Sequence, residues 1–334
     1  MMRGTLFVFT VMILCASLHG CKDNSPPAAG NQLLTIAVIP KATNHEFWKS
    51  IHAGAVKAEQ DLDGIKIVWK GPAREDDREQ QINVVDNFAN AKVDGIVLAP
   101  LDDVALVRPV REATAAGVPV VIMDSGLKAA AGEDYVSFVA TDNVAGGRKA
   151  AQCLGAVLGG KGKVLVMRYQ VGSDSTTNRE DGFVGAMASE FPEIEIVSSD
   201  QYGGATTESC HMKAESLLTR FGGELDGVFC ACEPAAFGML LALRDAGLAG
   251  RVKLVTFDPS EKLIEAMAAG EVHGIVLQDP LTMGYLAVKT LVSHIRGESV
   301  ADRIDTGSEV ATPDNMTEPR IAELLRPPID KYLK

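Results

Sequence analysis

The sequence predicts an α/β protein built from two doubly wound lobes, and three observations predict it. Ten short apolar runs alternate with helical stretches along the chain. The runs are dense in Val and Ile without strict alternation, which is typical of parallel strands covered by helices on both faces. The chain has 334 residues, more than one typical domain, and its runs divide into two similar sets.

The N-terminus carries the pattern of an export signal. Arg3 precedes the apolar stretch LFVFTVMILCASL, which is shorter than the ~20 residues of a membrane span. The stretch ends in LHGC, which looks like a bacterial lipobox with Cys21 as the lipidated first residue. We expect residues 1–20 to be a lipoprotein signal peptide and residues 21–32 to be a polar tether. The alternative is an ordinary secreted protein with a chance cysteine here.

The apolar runs define the predicted lobes. The first five are LLTIAVI, IKIVWK, GIVLAP, VPVVIMD and YVSFVAT, and the next five are KVLVMR, IEIVSS, GVFCAC, VKLVTFD and HGIVLQ. Helical stretches between them, such as DVALVRPVREATAAG and PAAFGMLLALRDAG, close on Gly, which favours the end of a helix. A helix near 281–295 and a strand near 305–311 would let the chain cross between the lobes again. The expected N-terminal lobe is 33–141 plus 279–306, and the C-terminal lobe and tail are 142–278 plus 307–334.

Composition excludes several classes of function. The net charge is −12 and no basic run is present, so nucleic acid is not an expected partner. No zinc-type cysteine pair and no phosphate-binding glycine loop occurs, and we expect neither a cofactor nor a metal. His211 and Glu215 have a spacing that could hold a metal, but a solvated helix face is favoured. We interpret the cysteines of the body as buried small apolar residues of undecided oxidation state; they are Cys153, Cys210, Cys230 and Cys232.

An aromatic pair follows the first run. Aromatic residues make up 5% of the chain and Trp occurs twice, yet Phe47 and Trp48 are adjacent. Thr43 and Glu46 have the spacing of a capping box, which predicts a helix start there. Phe47 is in phase with the packed face of that helix, and Trp48 lies about 100° away. One ring can serve the core while the other faces the strand ends, or both can turn outward.

Polar side chains follow most of the runs, where ligands of open α/β sheets bind. Asp124 and Asp258 are the stronger candidates because each closes a clearly apolar run, whereas Glu233 can simply cap a helix. Arg179, Tyr202 and Gln278 accompany them. Such planar groups can engage two vicinal hydroxyls, and aromatic faces pack on the C–H side of a sugar ring. Three acids against one arginine leave no surplus positive charge for an anion, so a neutral polyhydroxyl ligand is favoured.

Seven motifs occur in order along the chain: NHEFW, GIVLAPLDD, VPVVIMDSG, TDNVAGG, NREDGF, TFDPS and IVLQDP. Together they make the chain, from about residue 33 to residue 311, resemble the periplasmic sugar-binding proteins of the ribose-binding type. The resemblance implies a type I periplasmic binding protein fold, in which two Rossmann-like lobes are joined by a three-segment hinge. It also implies a monosaccharide clamped between the lobes and delivered to an ABC importer.

The resemblance implies the roles of individual residues. Asn44 or His45 would supply a polar contact beside the stacking rings, and Asp124 would bind hydroxyls from the first lobe. Arg179 and Asp258 would do so from the second lobe, with Tyr202 as a stacking partner. The positions expected to bind ligand are Asn44, His45, Phe47, Trp48, Asp124, Ser125, Arg179, Tyr202, Cys232, Glu233, Asp258 and Gln278, the last at the hinge.

Two positions depart from the ribose-binding pattern. Ser125 stands where that pattern has Arg, and Cys232 stands where it commonly has Asn. Both changes remove hydrogen-bond donors, so we expect a hydroxyl pattern other than that of ribose.

The function predicted from the sequence is a monomeric, lipid-anchored solute-binding protein that closes on a neutral monosaccharide or polyol. Its partners would be the sugar and the permease of an ABC importer, with the lipid as its only membrane contact, outside the cytoplasm. The alternative is a sensory co-receptor for a chemoreceptor or histidine kinase. A glycoside hydrolase that pairs Asp124, Glu233 or Asp258 is a third class, but no nucleophile motif accompanies these acids. Related repressors share the lobes, but no helix-turn-helix precedes residue 33.

Overall fold

The computed structural model describes residues 1–2, 33–43 and 45–333. Strands and helices alternate through most of this length. In chain order they are β1 (Leu34–Ile39), α1 (Glu46–Asp61), β2 (Ile65–Trp69), α2 (Arg78–Asn90), β3 (Gly95–Leu98), α3 (Val107–Ala115), β4 (Val120–Met123), β5 (Ser137–Ala140), α4 (Asn143–Val157), β6 (Lys161–Arg168), α5 (Asp174–Glu190), β7 (Glu193–Tyr202), α6 (Thr207–Phe221), β8 (Gly227–Cys230), α7 (Glu233–Asp245), β9 (Lys253–Phe257), α8 (Glu261–Ala268), β10 (Gly274–Leu277), α9 (Pro280–Ile295), β11 (Arg303–Asp305), β12 (Glu309–Ala311), α10 (Pro319–Leu325) and a 3₁₀ turn (Ile329–Lys331).

The strands form two six-stranded sheets. One has the order β11-β5-β4-β3-β1-β2 and is parallel throughout, and the other has the order β12-β10-β9-β8-β6-β7. Only β12 runs antiparallel to its neighbour among the described strands. All ten apolar runs are strands, and the short central ones β3, β4, β8 and β10 are buried along their whole length. The predicted α/β fold with two parallel-sheet lobes is confirmed.

Within residues 45–333, the chain passes between the two sheets three times. It passes from β5 into α4, from β10 into α9, and from β11 into β12. The last passage corrects the single strand expected near 305–311, because Asp305 ends a strand of one sheet and Glu309 begins a strand of the other. The first and third passages are hydrogen-bonded to each other, since the Thr141 hydroxyl donates to the backbone oxygen of Gly307 and the N–H of Asp142 donates to Oδ1 of Asp305.

The start of α1 differs from the predicted capping box. The helix begins at Glu46, and the cap is His45, whose Nδ1 accepts a hydrogen bond from the backbone N–H of Phe47 at 3.3 Å. The Thr43 hydroxyl instead donates to the backbone oxygen of Pro72. The predicted capping box is therefore wrong. The Thr43 hydroxyl donates to the loop after β2, and the imidazole of His45 accepts from a backbone N–H of the first helical turn.

The cysteines of the body are all free thiols. Cys210, Cys230 and Cys232 are buried in the core of the second sheet, whereas Cys153 is partly exposed. Burial raises the pKa of the Cys230 and Cys232 thiols well above its ordinary value. These cysteines therefore pack as small neutral groups. In the part of the chain that the structure describes, no helix combines the length and apolarity of a membrane span.

Candidate ligand-binding cleft

Two aspartates occupy equivalent places in the two sheets. Asp124 follows β4 with a φ of 62°, and Asp258 follows β9 with a φ of 64°, both in the left-handed region. The N–H of Asp124 donates to Val139 on β5, and the N–H of Asp258 donates to Val276 on β10, each at 3.0 Å. Left-handed backbone is costly for a residue with a side chain, and it is found where a site fixes a side chain. Both carboxylates line the cleft between the lobes.

Asp258 anchors a buried network in the second lobe. Its Oδ2 accepts from Nη1 of Arg179 at 3.1 Å, and its Oδ1 accepts from Nε2 of Gln278 at 2.8 Å. Arg179 is 2% exposed, lies 4.0 Å over the ring of Phe257, and donates through Nε to Asn143. Burial raises the pKa of Asp258 even though Arg179 and Gln278 oppose this. The pair therefore presents a rigid, desolvated carboxylate and guanidinium to the cleft.

The TDNVAGG motif allows this arrangement because it brings α4 against α5. A Cβ placed on Gly147 would lie 2.0 Å from the backbone oxygen of Arg179. Only glycine permits so close a helix contact, and the contact fixes the part of α5 that carries the guanidinium.

Lys41 is a cleft residue that the sequence analysis missed. It follows Pro40 at the end of β1, is 3% exposed, and places Nζ 3.3 Å from Oδ2 of Asp124. Nζ also donates to the hydroxyls of Ser175 at 3.0 Å and Ser173 at 3.3 Å, both on the second lobe. Lys41 supplies a cation beside Asp124. This cation partly replaces the arginine that the ribose-binding pattern has at the position of Ser125. Its position at a strand end was the available signal.

Aromatic rings also line the cleft. The rings of Phe47 and Trp48 meet edge to face, with 5.0 Å between their centroids. Trp48 is 2% exposed, packs in the first-lobe core, and donates through Nε1 to Oε1 of Glu75 at 2.7 Å. Tyr169 donates its hydroxyl to Oε2 of Glu75 and to the backbone oxygen of Ala205. Both rings of the pair line the cleft, and Trp48 also serves the core.

Direct hydrogen bonds link the two lobes around the cleft. His45 Nε2 lies 3.0 Å from Oε2 of Glu233, and Gln170 donates to the backbone oxygen of Glu75 at 3.0 Å. Burial alone would lower the pKa of His45, but the hydrogen bond and charge of Glu233 raise it above its ordinary 6.5. The lobes are closed on each other, and the cleft retains about 30 Å³, which is room for little more than a water molecule.

Of the other residues that the sequence predicted to bind ligand, the structure places only some in the cleft. Tyr202 is 40% exposed at the end of the edge strand β7 and does not reach the cleft, where Tyr169 of the adjacent strand end lies instead. Ser125 is buried, and its hydroxyl accepts from the N–H of Ser175. Cys232 lines the cleft, whereas Gln278 lies beside Asp258 at the hinge. Asn44 and the lipidation candidate Cys21 lie outside the described residues.

A separate polar cluster lies on α6 and α7. His211 Nε2 is 3.0 Å from Oδ2 of Asp245 and 3.9 Å from Oε1 of Glu215. Both carboxylates are more than half exposed, as the predicted solvated helix face requires. The three side chains have metal-ligand chemistry, but surface ion pairs of this kind are common without an ion.

Two lobes that close on a cleft lined by carboxylates, a guanidinium and aromatic rings define a solute-binding protein. The profile of the periplasmic binding protein domain matches residues 36–299, and the chain belongs to this family. The resemblance predicted from the sequence motifs is thereby confirmed.

Individual relatives agree with the family assignment. A xylitol-binding protein of Mycolicibacterium smegmatis is 27% identical over 259 residues, which are 78% of this chain and 69% of the relative. The structure of an ABC transporter solute-binding protein from Agrobacterium vitis with bound D-fucose is 36% identical, with a TM-score of 0.83. That similarity covers 87% of this chain and 99% of the other. A carbohydrate transporter solute-binding protein from Agrobacterium radiobacter with D-arabinose is 33% identical, with a TM-score of 0.82 over 87% and 98% of the two chains.

Proposed function

We propose that this protein binds a neutral monosaccharide or polyol in the cleft and delivers it to the permease of an ABC importer. The observation that carries the proposal is that Asp124 and Asp258, one from each lobe, line the same cleft as Phe47 and Trp48. Carboxylates that are fixed in this way can each accept from vicinal hydroxyls, and the rings can pack on the C–H face of the sugar. Ribose, allose and xylitol are named for curated relatives, which supports this ligand class.

Charge balance supports a neutral ligand. Each cation of the cleft already has a carboxylate partner, since Lys41 pairs with Asp124 and Arg179 pairs with Asp258. Glu75 adds a further acidic group on the aromatic side. An anionic ligand would have to displace one of these pairs, whereas hydroxyls can insert between donors and acceptors that are already present.

The same proposal includes a lipid anchor at Cys21, no catalysis, and a monomeric protein outside the cytoplasm. The lipobox pattern LHGC supports the anchor, and mass spectrometry of protein from native membranes would test it. The sensory co-receptor remains the second candidate, because lobe closure can be reported to a receptor as well as to a permease.

A thermal-shift screen of the chain from Asp23 onward tests the ligand class. The panel contains pentoses, hexoses, polyols, amino acids and nucleosides. A ligand that binds the folded state raises the unfolding midpoint, so stabilisation by one or a few sugars or polyols is the expected result. Stabilisation by amino acids or nucleosides alone would overturn the ligand class and leave the fold assignment intact.

Lys41→Met is expected to weaken binding of the sugar found in that screen at least tenfold. The change keeps the apolar stem but removes the charge beside Asp124 and the donor to Ser175, so the buried carboxylate loses its partner. Calorimetric titration measures the affinity. Lys49→Met, on the exposed face of α1, is the matched control and should leave the affinity unchanged. Equal affinities for the wild type and Lys41→Met would show that Lys41 does not contribute to ligand binding.

The His45–Glu233 pair predicts a pH dependence of binding. Because the pKa of His45 is raised in the closed protein, protonation favours closure. This contribution is fully present below pH 6.5 and is lost as the pH rises through the raised pKa. We expect affinity to fall roughly twofold to tenfold from pH 6 to pH 8.5. Glu233→Gln should flatten this profile, and a slope that persists in Glu233→Gln would assign it to another group.

A further inference from the structure

Two glycines at the closed interface each meet an aspartate of the opposite lobe. Gly126, in the first lobe after β4, donates its N–H to Oδ2 of Asp174, the first residue of α5, at 2.9 Å. Gly172, in the second lobe after β6, lies against the side chain of Asp102, which follows β3 in the first lobe. These four residues are not part of the cleft lining. The two glycine–aspartate contacts therefore join the lobes outside the space proposed for the sugar.

Both contacts are closer than a side chain at the glycine would allow. A Cβ placed on Gly126 would lie 2.6 Å from Oδ2 of Asp174, and a Cβ placed on Gly172 would lie 2.4 Å from Oδ2 of Asp102. A Cβ does not approach another heavy atom to less than 3.0 Å. Only glycine at these two positions lets the lobes come so near each other.

Each carboxylate is held in place within its own lobe. Oδ2 of Asp174 also accepts from Nδ2 of Asn178 at 3.0 Å. Oδ1 of Asp102 accepts from the N–H of Ala105 at 2.7 Å, and its Oδ2 pairs with Arg78 at 3.0 Å. A side chain in place of either glycine must therefore break such bonds or hold the lobes apart.

Two more hydrogen bonds between the lobes lie beside these contacts. The N–H of Asp103 donates to the backbone oxygen of Gly172 at 2.9 Å, and the N–H of Ser175 donates to the Ser125 hydroxyl at 3.1 Å. Hydrogen bonds require donor and acceptor to approach to about 3 Å, so these bonds depend on the approach that the glycines permit. The glycine–aspartate contacts therefore limit how far the lobes close and also allow the bonds that hold them closed.

Short segments connect the first contact to the groups that are proposed to bind the sugar. Gly126 is two residues after Asp124, and Asp174 lies on the same helix, α5, as Arg179. Arg179 in turn pairs with Asp258 at 3.1 Å. The contact between Gly126 and Asp174 therefore fixes the relative positions of the two cleft carboxylates when the lobes are closed.

We propose that the two glycine–aspartate contacts position the binding groups of the cleft, because they stop and hold lobe closure at one fixed spacing of Asp124 and Asp258. The residues that make these contacts contribute to affinity without touching the ligand. This inference rests on the proposed sugar-binding function, and it deepens that function by assigning part of the affinity to residues outside the cleft.

A disulfide between the lobes tests the second contact without any sugar. A Cβ on Gly172 would lie 3.6 Å from the Cβ of Asp102, a separation that disulfides span. We expect the variant that combines Asp102→Cys with Gly172→Cys to form this disulfide in oxidised glutathione, as detected by peptide mass spectrometry. Ser299→Cys, at an exposed position after α9, combined with Gly172→Cys is the control and should form none.

Substitutions at the first contact test its effect on binding. The φ of Gly126 lies outside the left-handed region, so alanine there adds a Cβ without backbone strain. Calorimetric titrations use each of D-fucose, D-arabinose, D-ribose, D-allose and xylitol that the wild type binds. Gly126→Ala and Asp174→Ala should each weaken binding at least fivefold. The double variant should lose no more than the weaker-binding single variant, because both changes remove the same contact.

Controls and kinetics separate positioning from loss of structure. Gly185→Ala is the matched control on α5, since its Cβ would lie in open space, and it should leave the affinity unchanged. Asp174→Asn keeps an acceptor oxygen and should bind more tightly than Asp174→Ala. A contact that forms on closure slows release, so the losses should appear in the dissociation rate, measured by rapid filtration of the radiolabelled compound. Thermal unfolding checks that each variant is folded.

The outcomes distinguish the inference from the function on which it rests. Wild-type affinity in Gly126→Ala, losses that add in the double variant, or a folded cysteine pair that forms no disulfide would each overturn the inference and leave the proposed function standing. If the disulfide forms but no sugar or polyol binds the wild type, the proposed function itself fails.

Discussion

Asp258→Ala is expected to reduce ligand affinity at least tenfold and to lower the free energy of unfolding by about 3–5 kcal/mol. The substitution removes the acceptor of both Arg179 and Gln278 at the centre of the second-lobe network. Arg179 would then keep a buried charge whose carboxylate partner is gone, and this is the largest single cost. Alanine also tolerates a φ of 64° less well than aspartate, whose short polar side chain can hydrogen-bond locally, and this adds a cost of up to about 1 kcal/mol.

Two measurements separate these effects. Urea unfolding without sugar reports the loss of stability, and calorimetric titration with the sugar from the screen reports the loss of binding. Asp258→Asn is the matched variant, because asparagine tolerates left-handed backbone and keeps one acceptor oxygen. We expect Asp258→Asn to add no backbone strain relative to aspartate. Its affinity should lie between those of the wild type and Asp258→Ala. Wild-type affinity in a folded Asp258→Ala protein would show that this carboxylate does not bind the ligand.

Trp48→Ala is expected to lower the free energy of unfolding by about 3–5 kcal/mol and to weaken binding by roughly 1–3 kcal/mol. Trp48 packs in the core with Ile51 and Ala55, so truncation leaves a cavity as well as a gap in the cleft wall. It also removes the indole N–H that donates to Glu75. Trp48→Phe keeps an aromatic face but loses this donor, so comparing the two variants separates packing from hydrogen bonding.

Fluorescence gives an independent readout, because the chain has only two tryptophans. Trp69 stacks on His52, away from the cleft, and Trp69→Phe leaves Trp48 as the single reporter. We expect the emission of this variant to change when the sugar binds. A titration that is silent in Trp69→Phe, at concentrations where calorimetry detects binding, would exclude contact between Trp48 and the ligand.

Local sequence patterns were sufficient to predict the fold. Runs such as GIVL are buried along their length because each is a central strand, and hydrophobic density alone carries that information. Asp124 and Asp258 could be singled out because each directly follows such a strand. The helix start was misjudged because the capping-box spacing is local, whereas the bond from Thr43 to Pro72 depends on a loop 29 residues away.

The rest of the cleft depends on contacts between distant parts of the chain. Tyr169 and Tyr202 both end strands, and only the strand order makes β7 an edge and β6 an inner strand. Lys41 acquires its role from Ser173 and Ser175, which are 132 and 134 residues away. Glu75 reaches Trp48 from 27 residues away, and it meets Tyr169 only once the lobes have come together. No pattern within a short window of sequence could identify these residues.

The two left-handed aspartates have a kinetic consequence. Each is braced by a backbone bond within its own sheet, so the carboxylates move with their lobes as rigid groups. A ligand bound between the two carboxylates, as proposed, must break its contacts with one lobe before it can dissociate from the other. Its residence time is then set by how fast the hinge opens, while its affinity is set by the hydroxyl contacts. A permease that pulls the lobes apart could therefore release a tightly bound sugar without competing for it chemically.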